Sequence, residues 1–280
     1  MCRFLMRQII VGGFCLMILS TIPFLGSFHS SPSMAAENGT FTFPTPNNFW
    51  RNQETDLEGI LEFPDNVTGK VPAMVIMHGS AGMGYRGESW AKFLREMGIA
   101  TFRIDYYGPR GLSQGGPRGP KTPYDIFGGL AYLATNPDID KDRIGVMGFS
   151  RGGTLTLLAL DYYTEDTGGV RPKAFIAVYG GCQNVSFVAG LPEDAAVLML
   201  IGEHDTFIPA ADCRMRAAEG QEDGKDVKTV VYPGGHHGFD DDNSRTVNWG
   251  GETMVMKVNE EITKQAREEV QSLLKRVFKM

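Results

Sequence analysis

Basic charge, cysteine and histidine are all scarce in this sequence of 280 residues. Twenty-seven Lys and Arg stand against 33 Asp and Glu, a formal net charge of −6. An acidic chain argues against nucleic acid or anionic lipid as its main partner, since both are held by clustered positive charge. There are four cysteines, too few for a disulfide-built scaffold. Of the five histidines, His78 has no His or Cys companion at metal-ligand spacing, so it reads as structural and no metal site is expected around it. Internal repeats and long low-complexity stretches are also missing, which sets aside solenoids and fibrous architectures.

What is present begins with a segment that does not read as fold. Residues 1–35 carry Arg3 and Arg7, an apolar run from Ile9 to Leu25, and small residues at Ser33-Met34-Ala35-Ala36. A basic start, an apolar middle and a small-residue end make a secretory signal peptide, cleaved near Ala35 or Ala36. The alternative is an uncleaved membrane anchor. Against it, Gly12, Gly13, Ser20, Thr21 and Pro23 interrupt a run already short for spanning a bilayer. The expected location is periplasmic or secreted. After cleavage no stable membrane association is expected. The remaining 245 residues then hold 25 basic and 33 acidic side chains, a net charge of −8. They also hold only Cys182 and Cys213, a pair open to two readings, one disulfide in an oxidising compartment or two buried thiols.

Residues 36–56, with Pro44, Pro46 and Asn47-Asn48, read as an irregular lead-in. Residues 57–280 read as one domain. Short apolar runs mark strands at Leu57–Phe63, Ala73–His78, Ile99–Ile104, Ile144–Gly148, Ala174–Tyr179, Val197–Ile201 and Val227–Tyr232. Several are nearly continuous, as strands buried on both faces of a parallel sheet must be. Helical patterns fall at Glu88–Met97, Pro123–Thr135, Gly152–Tyr163, Pro209–Glu219 and Asn259–Phe278. The alternation predicts an α/β fold with a doubly wound, mostly parallel sheet. Ligands bind such sheets beyond the carboxyl ends of the strands, so the loops after strands are the ones to inspect.

The loop after the fourth of these strands reads 148-GFSRGG-153. This is G-x-S-x-G between a strand and a helix, the context in which a serine is exposed on a sharp turn. A serine hydroxyl needs a base, and here the partners follow in the order Ser, acid, His. The strand Val197–Ile201 runs into 202-GEHD-205, and the next strand into 232-YPGGHHGF-239. Ser150 is thus the candidate nucleophile. Asp205 is the candidate acid, being farther out in its loop than Glu203. His204 reads as a loop neighbour. Chain order alone does not choose between His236 and His237. The loop 76-IMHGSAGMG-84 is placed to supply one oxyanion amide, from Ser80 or else Ala81, and the residue after the nucleophile, Arg151, supplies the other.

The stretches 77-MHGSAG-82, 105-DYYGPRG-111, 137-PDIDKDRIGVMGFSRGG-153, 201-IGEHDTFIP-209 and 232-YPGGHHGFD-240 resemble the dienelactone hydrolase family of α/β-hydrolases. The resemblance implies a single α/β-hydrolase domain with little or no cap, and carries over Ser150 as nucleophile, Asp205 as acid and the histidine before Gly-Phe, His237, as base. It is closest to exported members with one cysteine after the sixth strand and another in the helix after the acid loop, which implies a Cys182–Cys213 bridge. The family's namesakes use a cysteine nucleophile. Serine here shifts the expectation from lactones of that kind to carboxylic esters in general, with a small-molecule ester as partner and no cofactor. Arg110 and Arg151 are two cations able either to meet an acidic substrate group or to brace their own surroundings.

Three other readings keep the same residues. A peptidase of this fold would cleave aminoacyl anilides. An acyltransferase would pass the acyl group to an added alcohol or amine. A non-catalytic binding module would carry a broken triad, and none of the three members is missing here. Oligomeric state is not encoded in any motif. Pocket shape is expected to depend in part on the polar stretch 240–257, of which 240–252 reads as a surface loop, or else as a pocket rim with Trp249, and Asp240-Asp241-Asp242 as a solvated charge run or else a cation site.

Overall fold

The computed structural model describes residues 36–45, 56–112, 119, 123–161, 167–183, 185, 191–249 and 251–280. The expected signal segment and most of residues 46–56 lie outside them. Residues Ala36–Met280 form one compact unit. Among the described residues no helix is long and apolar enough to cross a membrane.

The elements in chain order are β1 (Gly39–Pro44), β2 (Asp56–Glu62), β3 (Val71–Met77), α1 (Tyr85–Glu96), β4 (Ala100–Asp105), α2 (Tyr124–Thr135), β5 (Ile139–Phe149) and α3 (Arg151–Asp161). Then follow β6 (Ala174–Val178), β7 (Ala196–Gly202), α4 (Ala210–Glu222), β8 (Asp226–Tyr232), β9 (Arg245–Trp249), β10 (Glu252–Met256) and α5 (Glu260–Phe278). Eight strands make one sheet in the order β1-β2-β4-β3-β5-β6-β7-β8. β1 with β2 and β2 with β4 are antiparallel, and the pairings from β4 through β8 are parallel. This is the doubly wound, mostly parallel α/β sheet that the alternation predicts.

Two cores follow from strand alternation. On β3, Ala73, Val75 and Met77 belong to one core, which also takes in Ile126 of α2, Leu157 of α3 and Ala217 of α4. Met74 and Ile76 belong to the other, with Trp90 of α1 and Val270 of α5. All seven residues of β3 and of β7 are buried, which explains why those runs lack polar interruptions. α5 turns Ile262, Ala266, Val270, Leu273, Leu274 and Phe278 inward. Its start is fixed by Asn259, whose side chain accepts the Ile262 amide at 3.0 Å.

Two expectations change. The lead-in is not irregular throughout: residues 39–44 form β1, with Phe41 facing Gly59 and Phe43 facing Leu57 across the ladder. β1 is an edge strand, and an edge tolerates the terminal Pro44 that obscures it in the sequence. The segment 240–252 is not a plain surface loop either. It carries β9 and the start of β10, an antiparallel hairpin with Trp249 opposite Glu252. The Gly250-Gly251 step between alternating residues was the signal for it.

Candidate active site

Ser150 stands between β5 and α3 with φ of 51°. A left-handed backbone at a non-glycine residue costs on the order of 1–3 kcal/mol and persists only where its surroundings enforce it. Here the Ser150 amide donates to Val178 O at 2.9 Å, and its carbonyl accepts the Thr154 amide at 2.9 Å. The following turn passes so close to β3 that a Cβ on Gly152 would lie 2.3 Å from Met77 O. Only glycine fits there, which is the physical content of the last glycine in G-F-S-R-G.

The loops after β7 and β8 bring the other two groups. The Ser150 hydroxyl lies 3.0 Å from His237 Nε2, and His237 Nδ1 lies 2.8 Å from Asp205 Oδ2. Asp205 is anchored in turn, its Oδ1 accepting the amides of Phe207 at 2.9 Å and Ile208 at 3.0 Å. Its side chain is wholly buried, and that of His237 is 3% exposed. The imidazole is also gripped through its faces, with the Tyr179 and Phe207 rings each 4.5 Å away by centroid. Such a ring can take a proton from the hydroxyl while its tautomer is held by the carboxylate.

The neighbouring histidine points elsewhere. His236 packs edge-on against His204, ring centroids 5.5 Å apart. Glu203 braces the same loop pair by accepting the Gly234 amide at 3.1 Å. The alternatives to Asp205 and His237 are therefore accounted for by loop structure.

The loop after β3 lies against the Ser150 turn. A Cβ on Gly79 would sit 3.2 Å from Phe149 O and 3.4 Å from Ser150 Cβ. Ser80 and Ala81 border the same cavity as Ser150 and Arg151. Arg151 opens α3, so its amide is among those a helix leaves without an intrahelical partner. Its side chain ties the two sides together, Nε donating to Ser80 Oγ at 3.1 Å. His78 stays structural: its ring stacks on Tyr106 at 3.8 Å and its Nδ1 donates to Gly79 O at 2.7 Å.

Arg110 does not border this cavity. Its Nη1 and Nη2 fork onto the buried Asp125 at 2.8 and 2.6 Å, and Nη1 also reaches Tyr106 O. A substrate role for Arg110 is thereby corrected to that of a loop brace, because the guanidinium is already bonded to a carboxylate of the fold. Cys182 and Cys213 are joined as a disulfide linking the segment after β6 to α4.

Sequence reasoning missed a buried polar cluster behind His237. Asp240 and Asp241 are not solvated. Asp240 accepts Trp90 Nε1 at 2.7 Å and the Tyr179 hydroxyl at 2.5 Å. Asp241 meets Arg86 Nη2 at 2.5 Å and Arg245 Nη1 at 2.8 Å. Burial pushes the Asp240 carboxyl above its usual range, with Arg86 opposing it. Burial acts the same way on Asp241, but Arg86 and Arg245 outweigh it and hold that carboxyl below its usual range. The one signal in the sequence was the position of the triple aspartate directly after His-Gly-Phe.

The cavity measures about 590 Å³ and has Ser150 and His237 in its wall. Val247, Asn248, Met254 and Met256 of the β9–β10 hairpin form one side of it. The hairpin is fastened to the histidine loop, Met256 bridging to His237 and the Lys257 amide donating to His237 O.

The sequence model of the dienelactone hydrolase family matches residues 116–278. The chain belongs to that family. It is accordingly a hydrolase of the dienelactone hydrolase type. In sequence it is similar to a Bradyrhizobium protein described as "Probable 2-oxo-3-(5-oxofuran-2-ylidene)propanoate lactonase". The identity is 24% over 193 residues, covering 62% of this chain and 75% of the relative. Among solved structures it resembles a dienelactone hydrolase-like promiscuous phosphotriesterase from metagenomic libraries. That match has a TM-score of 0.65 and 14% identity, over 86% of this chain and 99% of the other. Thermogutta terrifontis esterase 2, phosphorylated by paraoxon, matches with a TM-score of 0.62 and 15% identity, over 86% and 94%. At such identities these structures speak for the dienelactone hydrolase fold alone.

Proposed function

We propose that this dienelactone hydrolase family member cleaves carboxylic esters through an acyl-enzyme on Ser150. The observation that carries the reading is the unbroken line from Ser150 Oγ through His237 to Asp205, at 3.0 and 2.8 Å, opening onto a cavity. His237 Nε2 accepts the hydroxyl proton as Ser150 Oγ attacks the ester carbonyl. Asp205 holds the ring and stabilises the imidazolium. The amides of Arg151 and Ser80, or of Ala81 beside it, receive the carbonyl oxygen as it becomes an anion, assisted by the N-terminal end of α3. The C–O bond to the alcohol then breaks, and the alcohol leaves with the proton from His237. Water repeats the sequence on the acyl-enzyme and releases the acid, restoring Ser150.

Purified protein is expected to hydrolyse p-nitrophenyl esters. Ser150→Ala should lower kcat/KM by roughly a thousandfold or more, because the attacking atom is lost. Undiminished hydrolysis by Ser150→Ala would remove Ser150 from the mechanism.

A further inference from the structure

Among the described residues three arginines border the cavity beside Ser150, and two of them already face carboxylates of the fold, Asp240 and Asp241. Arg86, from α1, places Nη2 2.5 Å from Asp241 Oδ2, with Nε 3.7 Å from Asp240. Arg245, at the start of β9, places Nη1 2.8 Å from the same Asp241 oxygen. Asp241 does not itself line the cavity. It lies behind the two guanidinium groups with its side chain 7% exposed. The third arginine, Arg151, is bonded to Ser80 Oγ on the oxyanion side. Among the described residues, what remains to face a substrate arm is mainly apolar, with Leu155, Leu158, Ile208, Val247, Met254 and Met256 outnumbering the polar Thr154 and Asn248.

We infer that Asp241 is a specificity-determining residue. By matching Arg86 and Arg245 it suits the cavity to an uncharged, apolar arm of the substrate and excludes one ending in a carboxylate. The inference rests on the reading of Ser150 as nucleophile. An incoming carboxylate would have to share Arg86 and Arg245 with Asp241, leaving two anions close together out of water. Without the Asp241 charge, the same arginines would form a ready anion site, since guanidinium groups are well shaped for carboxylates. An apolar arm gains by covering the methionine, leucine, isoleucine and valine side chains.

The test compares p-nitrophenyl hexanoate with mono-p-nitrophenyl adipate, which differ only at the far end of the acyl chain. Wild-type protein is expected to favour the hexanoate in kcat/KM by about tenfold or more. Asp241→Asn keeps the shape and removes the charge. It should raise the adipate-to-hexanoate ratio roughly tenfold, mainly through KM, as one charge-assisted hydrogen bond can. Adding Arg245→Gln to that variant should bring the ratio back down. Wild-type preference for the adipate would overturn the inference, and so would an unchanged ratio in an Asp241→Asn protein with wild-type circular dichroism. If Asp241→Asn does not fold, Arg245→Gln alone decides. Retained discrimination against the adipate supports the inference, and selective loss of adipate turnover shows that Arg245 serves a carboxylate and overturns it. Failure of the parent reading is distinguishable, because Ser150→Ala would then still hydrolyse both esters.

Discussion

At the scale of single residues, adjacent side chains have different tasks. His236 and His237 are neighbours in sequence, yet one backbone step sends one ring toward His204 and the other between Tyr179 and Phe207. Only His237 reaches both Ser150 and Asp205. His237→Ala is therefore expected to lower kcat/KM for a p-nitrophenyl ester by roughly a thousandfold or more, and His236→Ala by less than about tenfold. Steady-state kinetics of the two variants check this, and the reverse pattern would exchange the two assignments. Ser150 and Asp205 were legible as candidates because chain order and the strand–turn–helix setting restrict them. The choice of histidine was not, because nothing in a Gly-Gly-His-His-Gly loop fixes which ring turns inward. It came only with the family pattern. Asp240 and Asp241 were misjudged for a related reason. A run of three aspartates is usually solvated, and the partners that bury these two, Trp90 and Arg86, lie some 150 residues earlier.

At the scale of elements, helices and buried strands were easiest to read because their apolar spacing is strong. α5 is the clearest case, and its buried stripe predicts a definite energetic cost. Leu274 is fully buried in the core shared with α1. Leu274→Ala should destabilise the fold by about 2–5 kcal/mol through lost contacts and a residual cavity. Urea denaturation followed by circular dichroism would measure it, and a change below about 1 kcal/mol would mean that α5 is not packed as described. Elements that serve the edges were harder. β1 has only six residues and ends in proline. β5 begins at Ile139, five residues before its apolar run, because Ile139 pairs with Val71 of β3 and a register shift then skips the polar residues before Ile144. The β9–β10 hairpin mixes Arg, Thr and Asn with Val and Met. One of its faces meets a cavity and not a core, so its pattern resembles surface sequence although it shapes the pocket.

At the scale of the whole molecule, the sheet is a device for convergence. Ser150 follows β5, Asp205 follows β7 and His237 follows β8, so 87 residues of chain separate two atoms 3.0 Å apart. The parallel pairing of β5 through β8 aligns those strand ends on one edge, where the loops meet. The disulfide between Cys182 and Cys213 ties the loop after β6 to the helix after Asp205, on the flank of the same site. This architecture was legible in the alternation of strands and helices and in the order of the loops. The pairing of Arg86 and Arg245 with Asp241 beside the pocket was out of reach, because it depends on which charges meet in space. The central claim is that Ser150 is the nucleophile, and a fluorophosphonate tests it most directly. Intact-mass measurement after labelling should show one adduct, and peptide mapping should place it on the peptide containing 148-GFSRGG-153, absent in Ser150→Ala. An adduct on any other residue, or none on an enzyme that hydrolyses esters, would contradict the account.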